Sequence, residues 1–224
     1  MIDIDHMIWK DSIMAHMNDI ITAVKDGRKK IVEQLVKDAL AEGVSAESIL
    51  NEGLIVGMTE LGEMFKTGEV YVPEILVAAR AMKAGTTILK PLLVDANVRS
   101  LGTVAIGTVK GDLHDIGKNL VGMMLEGNGF NVVDLGEDVD PEKFVEAVKN
   151  GAQAIGMSAL LTTTMPNMAL TIQALKDAGL RDQVKVLVGG APITQEFADQ
   201  IGADGYSTDA ASAADLAKKL IAGE

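Results

Sequence analysis

From Ile4 to about Leu93 apolar side chains return every third or fourth residue, the pattern of helices that bury one stripe. Ile31, Val32, Leu35, Val36, Ala39 and Leu40 make one such stripe, with Lys29, Lys30, Glu33, Lys37 and Asp38 mostly on the opposite side. Comparable stripes run from Ile4 to Val24, from Ala46 to Phe65 and from Glu74 to Leu89. Gly27, Gly43 and Gly68 punctuate them; Gly43 precedes a Ser45 N-cap with Glu47 in its first turn, and Gly68 precedes Pro73. Four helices with short connections predict an antiparallel bundle.

After Lys90-Pro91 the period changes. Short β-branched runs at 103–109, 131–135, 154–159, 184–188 and, weakly, 205–207 alternate with helical segments at 117–127, 141–149, 165–178, 194–200 and 210–222. The helix at 141 has Asp140 at its N-cap, Pro141 in its first position and Glu142 near the positive end of the dipole. Strict alternation predicts a five-stranded parallel sheet, flavodoxin/Rossmann-like, with helices on both faces. In the flavodoxin-like order the ligand crevice lies beyond the carboxyl ends of strands one and three. The expected organisation is a helical cap over 1–92 and an α/β domain over 93–224, the boundary falling between Leu92 and Leu101.

Composition narrows the chemistry. The 224 residues are 48% hydrophobic and 23% charged, a core-forming composition. With 20 Lys+Arg against 32 Asp+Glu the net charge of -12 opposes binding to a phosphate backbone, so no nucleic-acid partner is expected. No cysteine is present, which removes disulfides, thiolate metal sites and a cysteine nucleophile together. His6 and His16, ten apart, do not suggest a zinc site without cysteine help. The acidic start Met1-Ile-Asp-Ile-Asp-His6 reads as no leader peptide, and no apolar run is long enough for a bilayer, so a cytoplasmic protein without membrane contact is expected.

The most polar, glycine-rich strand exit is Gly111-Asp112-Leu113-His114-Asp115-Ile116-Gly117-Lys118-Asn119. An Asp two residues before a His can accept the imidazole Nδ1 proton, leaving Nε2 as a lone-pair donor toward a metal. His114 as a helix cap or a solvated loop residue is the competing reading. A phosphate loop fails because its first glycine would fall on Asp112 and its hydroxyl residue on Asn119. A dinucleotide fingerprint fails at Gly107-x-x-x-Gly111, and a receiver domain fails because strand three closes in Ser158 where a phosphoacceptor Asp is needed. The strand-three exit offers hydroxyls at Ser158, Thr162, Thr163 and Thr164, suited to a buried heterocycle or to helix capping. Gly189 and Gly190 at the strand-four exit permit close backbone approach or a tight turn.

Three strand ends thus converge on one slot with a candidate metal ligand at its mouth. In the motifs Asp112-x-His114-x-x-Gly117, the serine-led segment 158–164 and Gly189-Gly190, the sequence resembles the B12-binding corrinoid proteins of methyltransferase systems and the cobalamin module of methionine synthase. The likeness extends upstream through Gly68-Glu-Val-Tyr-Val-Pro73 and Ala79-Arg80-Ala81-Met82-Lys83, which resemble the helical cap preceding such modules.

The resemblance implies a cobalamin whose lower base leaves cobalt for the slot while His114 takes its place as axial metal ligand. Asp112 would hold the other imidazole proton, and Thr164 would carry the hydrogen-bond chain toward solvent. Gly117 would leave room for the nucleotide tail, Ser158 and Thr162 would bond near the lower base, and Gly189 and Gly190 would line the slot. Asp115, Lys118 and Asn119 would serve packing and capping, with Lys118 solvated. Tyr71 and Val72 fall where the family's cap presents apolar groups to the upper face of the corrin, although both also read as ordinary helix-start residues. The implied role is a methyl carrier, a subunit with no catalytic residue of its own. It serves a substrate-specific methyltransferase and a second methyltransferase with a folate or thiol acceptor, alongside a reductive activator. The alternative is a B12-dependent sensor, which would need an output module that the chain does not display.

Overall fold

The structure, a computed structural model, describes residues 4–96 and 100–222, with side chains from Met14 onward except those of 94, 95 and 222. The His6 side chain lies outside that set. The chain divides into two compact units, Met1–Arg99 and Ser100–Glu224.

The first unit is built from four helical rods: α1 (Ile4–Lys25), α2 (Lys29–Ala41), a continuous rod formed by α3 (Ala46–Ser48), a π-wound stretch Ile49–Leu54 and α4 (Ile55–Lys66), and α5 (Val72–Asp95). In α2 the buried positions are Val32, Val36 and Ala39, four and three apart, while Ile31 is 44% exposed although it belongs to the expected stripe. It sits about 100° around the helix from Val32, on the edge that faces water. Ser45 Oγ accepts the Ser48 N–H at 3.0 Å, as an N-cap serine does. The Tyr71 N–H donates to the Glu74 carboxylate at 3.1 Å, so Tyr71 and Val72 sit at the opening turn of α5. α5 runs through Pro91 for a further turn, past the point where the hydrophobic period changes. Ile20, Val24, Ile49, Leu54, Met58, Ile75 and Leu89 form the dry interior of this unit.

The second unit is a five-stranded parallel sheet in the order β2-β1-β3-β4-β5, from β1 (Thr103–Thr108), β2 (Asn131–Asp134), β3 (Ala154–Ser158), β4 (Lys185–Gly189) and β5 (Gly205–Tyr206). Its helices are α6 (Ile116–Gly127), α7 (Pro141–Lys149), α8 (Pro166–Asp177), α9 (Gln195–Ile201) and α10 (Ala210–Ala217), the last continuing as a π turn Lys218–Ala222. Because both faces of the sheet are covered, the central strands read as apolar runs without alternation; β1 is buried from Val104 to Thr108. Ala105, Ile155, Met157, Val186 and Val188 join Phe144, Met168, Ile172 and Leu175 in one core layer beneath α7 and α8. Ile106 points to the other face, where α6 packs against β1. The order switches between β1 and β3, whose carboxyl ends, Thr108 and Ser158, lie side by side in register. Among the described residues no helix is long and apolar enough to cross a membrane.

Candidate cofactor site

The loop between Thr108 and α6 begins with a tight turn in which the Asp112 N–H donates to the Val109 carbonyl at 3.1 Å. Gly111 sits inside that turn at φ +81°, a conformation that favours glycine. Asp112 follows, fully buried. Its Oδ1 accepts the His114 backbone N–H at 3.1 Å and approaches the His114 ring Nδ1 at 2.7 Å. An Asp carboxylate readily accepts the N–H two residues further on, and here the same oxygen also takes the ring nitrogen. That local geometry explains the spacing of Asp112-x-His114.

The second carboxylate oxygen reaches across the switch point. Oδ2 accepts the backbone N–H groups of Leu160 and Leu161 at 2.8 and 3.1 Å and the Thr164 hydroxyl at 2.8 Å. Burial by itself would push the Asp112 carboxyl up. Hydrogen bonds from the His114 ring, the Leu160 N–H, the Thr164 hydroxyl and the His114 N–H outweigh it and hold the group well below the usual carboxylate range. An ionised Asp112 only accepts, so the neutral His114 ring carries its proton on Nδ1 and keeps a lone pair on Nε2. The His114 side chain is half exposed, and no described residue bonds Nε2.

His114 does not cap α6, whose N-cap position is Asp115. Thr164 is buried, and its hydroxyl has two acceptors within reach for its single proton, Asp112 Oδ2 and the Leu161 carbonyl, each at 2.8 Å. Ser158 closes β3 opposite Gly189 of β4, half-buried, whereas Thr162 is exposed on the following loop. Gly190, at φ +128°, lets the β4 exit pass directly over β3, since a Cβ there would lie 1.9 Å from the Ala159 carbonyl oxygen. The exposed backbone of Gly117 has the opposite surroundings: a Cβ there would meet nothing within 4 Å. Tyr71 is 67% exposed and Val72 partly so, both in the helical unit.

Lys118 corrects a sequence-based expectation. It is buried, not solvated, and pairs with Asp134 at the end of β2, which also accepts the Gly136 N–H. Asp140 is the N-cap of α7 and Pro141 opens the helix, as expected, but the Asp140 carboxylate makes no cap bond and faces Lys110 at 3.3 Å. Asn119 bonds the Asp115 carboxylate at 2.8 Å, the expected packing role at the start of α6.

Several groups at the site carry no signal in the pattern of residues. The Leu160 and Leu161 amides are backbone, which any residue type supplies. Thr108, fully buried, donates its hydroxyl to the His114 carbonyl at 3.0 Å, a role hidden in a β-branched run. Asp138, in the loop after β2, accepts the Gly111 N–H at 2.8 Å and donates its own N–H to the Asp112 carbonyl at 3.0 Å. The Gly111 N–H, opposed by modest burial and aided by Lys110, holds the Asp138 carboxyl below its ordinary value.

A buried carboxylate that fixes one imidazole nitrogen and leaves the other open, at the switch point of a parallel sheet, defines a ligand site of the kind doubly wound folds place there. Residues 102–215 match the family model of the B12 binding domain, and residues 17–90 match a second B12 binding domain model. The chain belongs to the cobalamin-binding corrinoid proteins of methyltransferase systems. It is 44% identical over 219 residues to the trimethylamine corrinoid protein 1 of Methanosarcina acetivorans, covering 96% of this chain and 99% of that one. It is 43% identical to a dimethylamine corrinoid protein of Methanosarcina barkeri, covering 95% and 99%. Among solved structures, the methanol:cobalamin methyltransferase complex of Methanosarcina barkeri matches with a TM-score of 0.83 at 30% identity, over 94% of this chain and 81% of that one. A cobalamin-binding protein of Desulfitobacterium hafniense matches with a TM-score of 0.77 at 32% identity, over 92% and 98%.

The donor set suits that cofactor. Bound cobalamin would lay a broad, flat ring on the protein and offer a cobalt able to take a nitrogen ligand. Around His114 the exposed side chains of Leu113, Ile116, Leu160 and Leu161 are apolar, 66%, 77%, 44% and 41% accessible. Exposed apolar side chains beside one open ring nitrogen would suit a broad, flat ligand.

Proposed function

We propose that the protein is the methyl carrier of a methylated-amine methyltransferase system and that it holds cobalamin through His114. The observation that carries this reading is the division of labour on the imidazole, with Nδ1 locked to a buried carboxylate at 2.7 Å and Nε2 left open. Bound cobalamin supplies a cobalt atom able to accept a methyl group from one partner and release it to another. Asp112 keeps the His114 tautomer correct for ligation and holds the ring's orientation. Its bonds to Leu160, Leu161 and Thr164 tie the ligand to the β3 exit, so the imidazole is held from two strand ends.

Gly117 leaves the lower side open for a nucleotide tail. Ser158 and Thr162 offer hydroxyls to the displaced base, with Gly189 beside them. Gly190 shapes the slot indirectly, through its close seat on Ala159. Tyr71 and Val72 serve as the apolar contribution of the helical unit to the cofactor's upper face. Residues 1–92 act as the cap and 93–224 as the cobalamin domain.

Trimethylamine and dimethylamine corrinoid proteins resemble this chain equally well, which favours a methylated amine as the donor class without separating the two. The solved methanol:cobalamin methyltransferase complex supports docking onto a substrate-specific methyltransferase. A second methyltransferase and a reductive activator complete the cytoplasmic cycle in this reading.

The test uses purified protein loaded with cobalamin, reduced by a low-potential donor and incubated with a methylamine methyltransferase and isotopically labelled trimethylamine or dimethylamine. Label on the corrinoid protein is the expected result. A protein that binds cobalamin and is reduced, yet takes up no label from either amine, refutes the assignment. His114→Ala should lower cobalamin affinity by about 10-fold or more and change its visible spectrum, in line with the cost of losing a metal ligand or its support. An unchanged spectrum and affinity would overturn the ligand assignment.

A further inference from the structure

Asp138 is the only non-glycine residue among those described with a positive φ, at +51°. Asp and Asn enter that region at a lower cost than other side-chain-bearing residues, but a loop does not need one there unless something else holds it. What holds it is a reciprocal pair of hydrogen bonds to the neighbouring loop. The Asp138 carboxylate takes the Gly111 N–H at 2.8 Å, and the Asp138 N–H reaches the Asp112 carbonyl at 3.0 Å. These two contacts grip the backbone on either side of the Gly111–Asp112 peptide, the unit from which the Asp112 carboxylate departs toward His114. The loop is pinned around them by the Thr108 hydroxyl on the His114 carbonyl and by a parallel bridge between Val109 and Val139. Lys110 stands 3.5 Å from Asp138 and 3.3 Å from Asp140, close enough to keep the Asp138 side chain in place.

We infer that Asp138 is a positioning residue for the axial histidine, its carboxylate clamping the Gly111 N–H so that Asp112 presents His114 in the orientation ligation needs. This rests on the proposed ligand role of His114. Asp138 has no hydrogen bond to the His114 ring; it acts through the backbone of Asp112. A displaced Asp112 would misdirect Nε2 even with the Asp112–His114 bond intact, because ligation tolerates only small errors in orientation.

Three substitutions separate the contributions. Asp138→Gly keeps the positive φ and removes the acceptor. Asp138→Asn keeps both the positive φ and an acceptor oxygen while removing the charge. Lys110→Met removes the ion-pair partner alone. In the full-length protein, Asp138→Gly should weaken cobalamin binding about 3- to 10-fold and reduce the His-ligated spectral form, the effect of losing one partly exposed hydrogen-bond acceptor. Asp138→Asn and Lys110→Met should stay within about twofold of the parent. Hydrogen exchange at the Gly111 amide of the cobalamin-free protein should be slow in the parent and about tenfold faster in Asp138→Gly.

Parent-like affinity and spectrum in Asp138→Gly would overturn the inference, and so would an equal loss in Asp138→Asn. Should Asp138→Gly fail to fold, a Gly111 amide that exchanges in the parent as fast as an open loop would overturn it as well. His114→Ala run in parallel separates the two proposals. If that variant also leaves binding and spectrum unchanged, the ligand reading has failed, whereas an effect of His114→Ala with none from Asp138→Gly refutes only the clamp.

Discussion

Replacing Asp112 with asparagine preserves shape and removes the charge, which makes it the sharpest probe of the site. The carboxylate accepts two bonds on Oδ1, from the His114 N–H and ring, and three on Oδ2, from Leu160, Leu161 and Thr164. A carboxamide has one acceptor oxygen and one NH₂, so one side must now face donors with a donor. If the NH₂ faces Leu160, Leu161 and Thr164, two backbone amides lose their acceptor. If it faces His114, only one backbone amide does, because the imidazole can change tautomer and accept on Nδ1. The second arrangement is therefore favoured, and it places the ring proton on Nε2, where it blocks ligation.

Stranding one partly buried N–H and weakening the remaining charge-assisted bonds costs about 1–3 kcal/mol, measurable by urea unfolding of the cobalamin-free protein. Cobalamin affinity should fall about 10- to 100-fold, the usual range for losing the partner of a ligating histidine. Nitrogen NMR of the ¹⁵N-labelled ring, recorded well above the range in which histidines titrate, gives the direct answer. The parent should show Nδ1–H and the variant Nε2–H. A variant that retains the Nδ1–H tautomer and stays within about 0.5 kcal/mol of the parent would show that the carboxylate charge does not control the imidazole, and the reasoning would fail.

Further expectations follow from the same geometry. Because the Asp112 carboxyl is held below its unfolded value of about 3.9, its contribution to stability is present above that pH and is lost as pH falls further; the stability gap between parent and Asp112→Asn, followed by urea titration, should be full at pH 6 and shrink below about pH 4. Gly190→Ala places a methyl group 1.9 Å from the Ala159 carbonyl oxygen and should cost about 3 kcal/mol or more, or abolish folding, as read by thermal unfolding. Gly117→Ala meets open space in the first turn of α6, so the cobalamin-free protein should gain up to about 1 kcal/mol while cobalamin affinity drops. Asp134→Asn leaves the buried Lys118 ammonium without its carboxylate and should destabilise by about 2 kcal/mol, more than Lys118→Met, which removes the charge together with its need for a partner.

The architecture was largely legible because both periodicities were strong. Val32, Val36 and Ala39 repeat at helical spacing, and the apolar runs from Thr103 and Ala154 are those of strands covered on both faces. Elsewhere packing outvotes a local preference. Asp140 stands at the N-cap position with the right backbone angles, yet its carboxylate turns to Lys110 instead. Lys118 reads as a solvated helix residue because lysine usually is, and only the arrival of Asp134 from β2, sixteen residues on, makes its burial tolerable. Nothing in the local pattern announces such a pairing.

The site divides along the same line. Asp112, His114 and Thr164 are polar residues at strand exits, and the first two are linked by a turn geometry that a two-residue spacing already contains. The Leu160 and Leu161 amides, which with Thr164 hold the far side of the carboxylate, were out of reach of any side-chain motif. Asp138 is hidden differently. It lies in an acidic loop that carries no motif, and its contact with Gly111 depends on register, since β2 must pair with β1 so that Asp134 stands beside Ile106 before the loop beyond can meet Gly111. The histidine's orientation is thus a property of the sheet as a whole. Exits from β1, β2 and β3 each contribute a constraint, and an imidazole held by all three can be aimed more finely than one residue and its neighbour could manage.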